Sequence, residues 1–290
     1  MAAKQNISSE HFISRYLQES DFPRQRTPLQ VYPLEEIQLR VPTPLLRADY
    51  HYLIFLQEGT FTQQVGLEVH HLLDSTVLYV PQGEAFAIRS LGSGITGYFL
   101  MMEEKVAFNL VQKMEGADLL SLNTVTHLEP NTRDWLLGLC QLLHTELTQA
   151  EPDRKVSNGL LLALMHKLMG LNDGGQNVSR QREIAQQFKR LLHREMKEHK
   201  LVAYYAQELG VSENYLNRCV SSHFRRSCKQ MIQEAAVLQS QLLMFESTKD
   251  ISEIAFAVGY DDPSHFSRIF KQVTGETPTA FKKRTLHGLS

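Results

Sequence analysis

The sequence has few cysteines and no long apolar run. Its three cysteines, Cys140, Cys219 and Cys228, lack the spacing of metal ligands, so we interpret them as small buried apolar residues, with a redox sensor as the alternative. No stretch approaches 18 consecutive apolar residues, and the first ten residues lack the apolar core of a signal peptide. We therefore expect a cytoplasmic protein with no membrane association.

Patterns typical of enzymes are missing as well. A metal site needs three or four converging ligands, yet His51 stands alone, and His70 and His71 are adjacent, so on a strand they would point to opposite faces. No Ser-His-Asp order, glycine-rich phosphate loop or Cys-x-x-Cys pair stands out. We predict that the protein is not an enzyme and that it has no cofactor and no metal.

Charge is divided unevenly along the chain. Residues 180–290 carry 17 Lys and Arg against 12 Asp and Glu, whereas residues 1–179 carry 13 against 20, which the total of −2 conceals. A chain of 290 residues is long enough for two domains. Because Leu171–Arg180 is polar and rich in glycine, we interpret it as the linker between them. The basic domain is expected to attract phosphates.

A helix-turn-helix pattern lies near the end of the chain. A helix is predicted over Ile251–Val258, and Gly259 provides the left-handed residue that ends it. Asp261 or Asp262 then caps a second helix, and Pro263 fits its first turn. The buried stripe of this helix is expected to comprise Phe266, Ile269, Phe270 and Val273. Its other face is polar and cationic, and comprises Ser264, His265, Ser267, Arg268, Lys271 and Gln272. Such side chains can reach base edges and phosphates in a major groove.

The same order of features occurs upstream. Gly210 makes the turn and Ser212 caps the helix that follows. The apolar positions of this helix are Leu216, Cys219 and Val220, and its solvent face comprises Glu213, Asn214, Asn217, Arg218 and Ser221. Asn and Arg at this spacing suit base reading. Met231–Phe245, between the copies, predicts a buried helical rod that would hold the two recognition helices roughly 34 Å apart, one turn of DNA.

Residues 180–286 resemble the DNA-binding domain of the AraC/XylS family of bacterial transcription regulators. The resemblance rests on three strings, which are Ile251-Ser-Glu-Ile-Ala with Val258-Gly-Tyr, Ser264-His-Phe-Ser-Arg-Ile-Phe-Lys, and Thr274-Gly-Glu-Thr-Pro-Thr-Ala-Phe281. It implies two helix-turn-helix units joined by a long helix and bound to double-stranded DNA. The implied DNA-binding residues are Asn214, Asn217 and Arg218 in the first unit, and Ser264, His265, Arg268 and Lys271 in the second.

Three positions depart from the family pattern. The family usually has glycine after the first recognition helix, where this chain has Arg225. On the linking helix, Ala236 replaces a common arginine and Ser240 replaces the usual alanine. The first unit is therefore the more divergent one.

The N-terminal half has a different pattern of apolar residues. Short apolar or alternating runs separated by turns extend from Leu45 to about Met102. They include Tyr52–Leu56, Val65–Leu73, Thr76–Val80, Ala85–Arg89 and Tyr98–Met101. Such hairpins predict a β-barrel or jelly roll. The region resembles the cupin-like sensor domain of many AraC-type regulators, through a strand with His51 and Glu58-Gly59, a Val80-Pro-Gln-Gly turn and a Gly97-Tyr-Phe-Leu strand.

The cupin-like resemblance leaves three functions open for this domain. The first is a sensor that holds a small-molecule effector inside the barrel. The second is a domain that only dimerises or binds a protein partner, without an effector. The third, and the least favoured, is a cupin enzyme fused to DNA-binding helices.

Two apolar helices are predicted after the barrel, over Asp134–Leu147 and Ser157–Met169. The second places Leu161, Leu164, Leu168 and Leu171 near one stripe. This stripe either packs on the barrel or forms a homodimer interface, as the family resemblance suggests.

Together these patterns predict an α+β protein with a cupin-like β-barrel or jelly-roll sensor domain (1–130), a helical dimerisation segment (131–171), a linker (172–180) and an all-α domain with two helix-turn-helix units (181–290). We expect a sequence-specific transcription regulator. The resemblance implies a homodimer that activates transcription by recruiting RNA polymerase.

Overall fold

The computed structural model describes residues 27–114, 119, 122–172 and 180–287, together with Phe12 and Tyr16. The chain divides into two compact units, Met1–Gln176 and Asn177–Ser290. In the described residues the first unit contains two β-sheets and three α-helices, and the second contains seven α-helices. The predicted α+β class is confirmed. The centre of the predicted linker, residues 173–179, lies outside the described residues.

The strands of the first unit form two antiparallel sheets. They are β1 (Leu29–Pro33), β2 (Leu46–Arg47), β3 (Tyr50–Glu58), β4 (Phe61–Val65), β5 (Glu68–Leu72), β6 (Thr76–Val80), β7 (Ala85–Leu91), β8 (Thr96–Glu103) and β9 (Val125–His127). One sheet has the order β1-β8-β3-β6-β9 and the other β2-β7-β4-β5. No ladder between described strands joins the two sheets, so they form an open jelly-roll-like sandwich.

Residue alternation explains why the five-stranded sheet is buried on both faces. Along β3, Tyr52 and Ile54 belong to the core between the sheets, whereas Leu53 and Phe55 belong to the core on the opposite face. In the four-stranded sheet, the buried positions of β4 alternate with half-buried ones, because only one face of that sheet is covered.

Some strand boundaries differ from the predicted ones. The apolar run predicted over Val65–Leu73 belongs to two strands, because Gly66 adopts a φ of 60° and reverses the chain between β4 and β5. β1 and β9 lie outside the region in which strands were predicted. Both are edge strands of the five-stranded sheet, and they are short.

The helices of the first unit are α1 (Glu104–Lys113), α2 (Pro130–Leu147) and α3 (Arg154–Asn172). They cover the outer face of the five-stranded sheet in one continuous core. Leu161, Leu164 and Leu168 of the predicted stripe are buried in this core, while Leu171 is 38% exposed. Most of the stripe therefore packs within its own unit.

The second unit consists of α4 (Arg180–Glu195), α5 (Val202–Glu208), α6 (Glu213–Phe224), α7 (Cys228–Glu246), α8 (Ile251–Ala257), α9 (Pro263–Thr274) and α10 (Pro278–His287). It has two hydrophobic cores, one around α4, α5, α6 and the start of α7, and the other around the end of α7, α8, α9 and Phe281. The predicted rod over Met231–Phe245 is confirmed as the body of α7. None of the described helices combines the length and apolarity that a membrane crossing requires.

Candidate nucleic-acid interface

The second helix-turn-helix consists of α8 and α9, and local hydrogen bonds define its turn. Gly259 has a φ of 82° and ends α8. Asp262 caps α9, because its carboxylate accepts hydrogen bonds from the backbone N–H groups of Ser264 (2.8 Å) and His265 (3.1 Å). These bonds, the first above all, hold the pKa of Asp262 below its ordinary value. Pro263 occupies the first turn of α9, as predicted.

The outer face of α9 is polar and open to solvent. The four predicted DNA-binding residues on it are exposed; they are Ser264, His265, Arg268 and Lys271. The buried stripe opposite contains Phe266, Ile269 and Phe270, with Val273 only partly buried. Ser267 is half-buried and its hydroxyl donates to the Pro263 carbonyl at 2.8 Å, so this hydroxyl is less suited to DNA contact than its neighbours.

The first helix-turn-helix consists of α5 and α6 and has the same geometry. Gly210 has a φ of 63°, and the Ser212 hydroxyl accepts from the Tyr215 backbone N–H at 3.2 Å. Asn214, Asn217 and Arg218 are exposed, as the interface requires. The guanidinium of Arg218 lies 5.0 Å from the centre of the Tyr215 ring, and this cation–π contact restricts its orientation.

Asn217 has a second role that the sequence analysis missed. Its side-chain oxygen accepts a hydrogen bond from the backbone N–H of Cys228 at 3.0 Å, at the start of α7. Recognition of adenine by asparagine uses both the oxygen and the NH₂ group. The bond to Cys228 occupies one of the two lone pairs of the oxygen and fixes the orientation of the Asn217 amide. Asn217 therefore contributes to the packing of α6 against α7 as well as to the exposed face of α6.

The end of α6 shows how the first helix-turn-helix accommodates arginine where the family usually has glycine. Arg225 adopts the left-handed conformation with a φ of 59°, at the position where the second helix-turn-helix has Gly275 with a φ of 83°. A non-glycine residue in this region is strained. The first helix-turn-helix thus has at Arg225 the left-handed backbone that the second forms with glycine.

The turn of the second helix-turn-helix makes a close contact with the segment between α4 and α5. A Cβ atom at position 259 would overlap the carbonyl oxygen of Lys197, which lies between α4 and α5. The Lys200 ammonium lies 5.9 Å from the centre of the Tyr260 ring, and burial lowers its pKa to about 8. The Tyr260 ring in turn contacts the His265 ring, with centroids 5.6 Å apart. The turn between α8 and α9 therefore packs against the segment between α4 and α5, close to the predicted DNA-binding residue His265.

Histidines and carboxylates provide few metal ligands in the described residues. His51 Nδ1 lies 2.8 Å from the Tyr79 hydroxyl and accepts from the Gln82 backbone N–H at 3.3 Å. Burial lowers the pKa of His51 to about 4, so the ring is neutral.

The described residues include one cluster with metal-ligand spacing, formed by Glu195, Glu198 and His199. Glu195 accepts from Arg194 at 2.6 Å, and the His199 ring stacks on Tyr204 at 3.5 Å. Both groups have other partners.

The helix-turn-helix geometry agrees with a comparison against known families. A family model described as a helix-turn-helix domain matches residues 205–284, which extend from α5 to α10. The second unit is an AraC-type helix-turn-helix domain. The match covers both units of the AraC-type domain, including the more divergent first one.

Similar proteins include several that are named as regulators. The Msm operon regulatory protein of Streptococcus mutans is 25% identical over 155 residues, which cover 51% of this chain and 54% of that protein. The chain therefore spans about half the length of this relative. The transcriptional activator RhaR of Mannheimia succiniciproducens is 19% identical over 273 residues, which cover 91% and 95% of the two chains. Among solved structures, ToxT of Vibrio cholerae is 14% identical, with a TM-score of 0.45 and coverage of 88% of this chain and 97% of that one.

Proposed function

We propose that this protein is a sequence-specific DNA-binding transcription regulator of the AraC/XylS type, in which α6 and α9 are the recognition helices. The observation that carries the proposal is the repetition of one geometry. Each helix has twelve residues, an N-terminal side-chain cap, a buried stripe and an exposed polar face. A major groove accommodates an α-helix presented in this way.

The side chains on these faces suit different parts of DNA. Arg268 and Asn214 can make paired hydrogen bonds to guanine and adenine, respectively. Lys271, in the last turn of α9, is placed for a phosphate contact, which positions a protein without reading sequence. The net positive charge of residues 180–290 adds attraction that falls with salt.

We also propose how the protein assembles and how it acts on transcription. A cytoplasmic homodimer that activates transcription by recruiting RNA polymerase is what the family resemblance implies. Since Leu161, Leu164 and Leu168 are buried within one subunit, a dimer contact through these helices would use other side chains. Leu142 and Trp135 of α2 are 56% and 46% exposed and are available for it. In this proposal, residues 1–130 form the sensor domain and residues 131–171 form the dimerisation segment.

Control by a small molecule in the first unit is the leading version of the proposal. An effector-independent regulator is the second candidate, and one observation favours it. Aromatic rings fill the space between the sheets, with Phe12 5.8 Å from Phe86 and Tyr52 5.5 Å from Phe99, between ring centroids. A filled interior needs no ligand for stability.

Selection of bound sequences from a random duplex pool, at two salt concentrations, tests the regulator function. We expect an enriched motif with two elements about one helical turn apart that persists at the higher salt. Enrichment of no motif at the higher salt, with or without extracts that supply small molecules, would contradict the proposal.

Two variants then assign the contacts on α9. Arg268→Ala is expected to lose about 1 to 3 kcal/mol of discrimination at one base position. Lys271→Ala is expected to weaken binding to all sequences equally and to reduce the salt dependence by about one phosphate contact. Arg154→Ala, in α3 of the first unit, removes the same charge from outside the helix-turn-helix domain and serves as the matched control.

A further inference from the structure

The first recognition helix lacks the lysine that the second one offers to a phosphate. Because α6 begins at Glu213 and α9 at Pro263, Lys271 of α9 corresponds to Ser221 of α6. Ser221 is half-buried, and its hydroxyl donates to the Asn217 carbonyl of the same helix at 2.5 Å. A neutral hydroxyl used in this way does not replace an ammonium group at a phosphate.

The next exposed cation along α6 is Arg225, where the helix ends. Its backbone is left-handed, and the corresponding residue of the second helix-turn-helix is Gly275. An arginine at such a position costs stability that a glycine would not. The side chain is exposed and makes no hydrogen bond or ion pair within the described residues. Its charge suits the C-terminal end of a helix, but a cation within the last helical turn would have the same effect without strain.

Arg225 lies on the face of α6 that carries predicted base-reading residues. At 3.6 residues per turn, Asn214, Arg218 and Arg225 fall within about 40° of one another around the helix axis, and all three are exposed. Asn214 and Arg225 are about 16 Å apart along the axis, since a helix rises about 1.5 Å per residue. The major groove is only about 12 Å wide. A helix whose first turn reads bases therefore extends to the phosphate backbone at Arg225.

Positive charge is concentrated at this end of α6. The pKa of His223, two residues before Arg225, is lowered first by burial and then by the charges of Arg182 and Lys189. Both of these residues belong to α4, which packs against α6. Basic side chains of the two helices thus lie close together, and such a concentration attracts DNA phosphates.

We propose that Arg225 binds a phosphate of the DNA backbone and has in the first helix-turn-helix the role that Lys271 has in the second. The guanidinium can donate two parallel hydrogen bonds to phosphate oxygens. Such a contact positions α6 in the groove without reading sequence. A glycine would relieve the strain but remove the contact, so the arginine serves DNA binding rather than folding. This inference rests on the proposed function, because it requires α6 to approach DNA.

Equilibrium binding of the full-length protein to a duplex of mixed sequence, over a range of salt concentrations, tests the proposal. Loss of one phosphate contact lowers the slope of log K against log salt by about 0.9. Arg225→Gly should therefore bind about fifteenfold more weakly than wild type at about 50 mM salt, and about eightfold more weakly at about 100 mM. Arg225→Ala should show the same loss, whereas Arg225→Lys should keep the slope of wild type. An unchanged slope in Arg225→Gly would overturn the proposal.

Urea unfolding of the same variants separates a DNA contact from a structural role. Arg225→Gly should be more stable than wild type although it binds DNA more weakly, because it loses the strain together with the contact. A loss of both stability and affinity would assign Arg225 a structural role instead.

Relocation of the cation gives an independent test. Ser221→Lys in the Arg225→Gly background places a lysine where α9 has Lys271. It should restore the salt slope, because positions 221 and 225 lie on the same face of α6. A double variant that keeps the low slope of Arg225→Gly would contradict the shared phosphate-binding face.

Three controls identify the binding partner and the proposal that fails. Arg154→Ala, outside the helix-turn-helix domain, should leave the slope unchanged. If Lys271→Ala lowers the slope and Arg225→Gly does not, only the assignment of Arg225 is wrong, whereas a wild-type protein that does not bind the duplex would overturn both proposals. Inorganic phosphate at matched ionic strength should raise the thermal midpoint of wild type no more than that of Arg225→Gly. A larger increase for wild type would show that Arg225 binds a free anion instead of DNA.

Discussion

Replacement of Arg225 by glycine is expected to stabilise the second compact unit, Asn177–Ser290. Arg225 ends α6 in the left-handed region, which costs an L-amino acid roughly 1 to 2 kcal/mol. Glycine avoids this cost but loses more backbone entropy on folding, by roughly 0.5 to 1 kcal/mol. The Arg225 side chain is exposed and makes no hydrogen bond or ion pair within the described residues. Arg225→Gly should therefore raise the free energy of unfolding by about 0.5 to 1 kcal/mol.

Urea unfolding of the full-length protein can measure this change unit by unit. Fluorescence of Trp135, the single tryptophan, follows the first unit. Far-ultraviolet circular dichroism mainly follows the second, which holds seven of the ten described α-helices. Only the second transition should move to higher urea in Arg225→Gly.

Two further variants control for charge and test the reverse change. Arg225→Ala loses the same charge but keeps the strained backbone, so its transition should stay close to that of wild type. Gly275→Ala meets no atom within 4 Å at its new Cβ, so it should lose about 1 kcal/mol from backbone strain alone. A gain in Arg225→Ala equal to that in Arg225→Gly would refute the reasoning, because charge would then explain the effect.

Three other predictions concern single residues. Asn217→Ala should lower the free energy of unfolding of the second unit by about 0.5 to 1.5 kcal/mol because a helix cap is lost, whereas Asn214→Ala should change it little in the same urea experiment. Gly259→Ala should cost more than about 2 kcal/mol, since its Cβ overlaps the Lys197 carbonyl in addition to the backbone strain; a smaller loss would show that the α8–α9 turn moves easily away from the segment between α4 and α5. Burial lowers the pKa of His51 from 6.5 to about 4, so the unfolded state takes up a proton first and the first unit should lose stability as the pH falls from about 6.5 to about 4. His51→Gln should reduce this loss, as followed by tryptophan fluorescence, and an unchanged pH profile would exclude His51 as its source.

The second helix-turn-helix was the part of the fold that the sequence predicted best. Its turn depends on local chemistry, since Gly259 reverses the chain, Asp262 bonds to two N–H groups and Pro263 fits the first helical turn. Each of these preferences acts over a few residues. Helical periodicity likewise predicted the buried stripe of α9 and the long α7.

Features that depend on distant partners were not predictable in this way. The strand β1 pairs with β8, some seventy residues away, and nothing in its own residues identifies that partner. The run Val65–Leu73 contains a chain reversal at Gly66, and the pairing of β4 with β5 defines it rather than the apolar pattern of the run. Asn217 matched a base-reading pattern, but its bond to the Cys228 N–H depends on how α7 begins. The contact between Gln63 of β4 and the Tyr52 hydroxyl of β3 exists only because two sheets face each other.

The matching geometry of α5–α6 and α8–α9 has a consequence for how substitutions act. Glu213 and Pro263, the first residues of the two helices α6 and α9, are fifty positions apart, and each helix packs in a hydrophobic core of its own. A substitution in one of these helices therefore leaves the core beneath the other helix in place. The exposed face of either helix can change while the other keeps its fold.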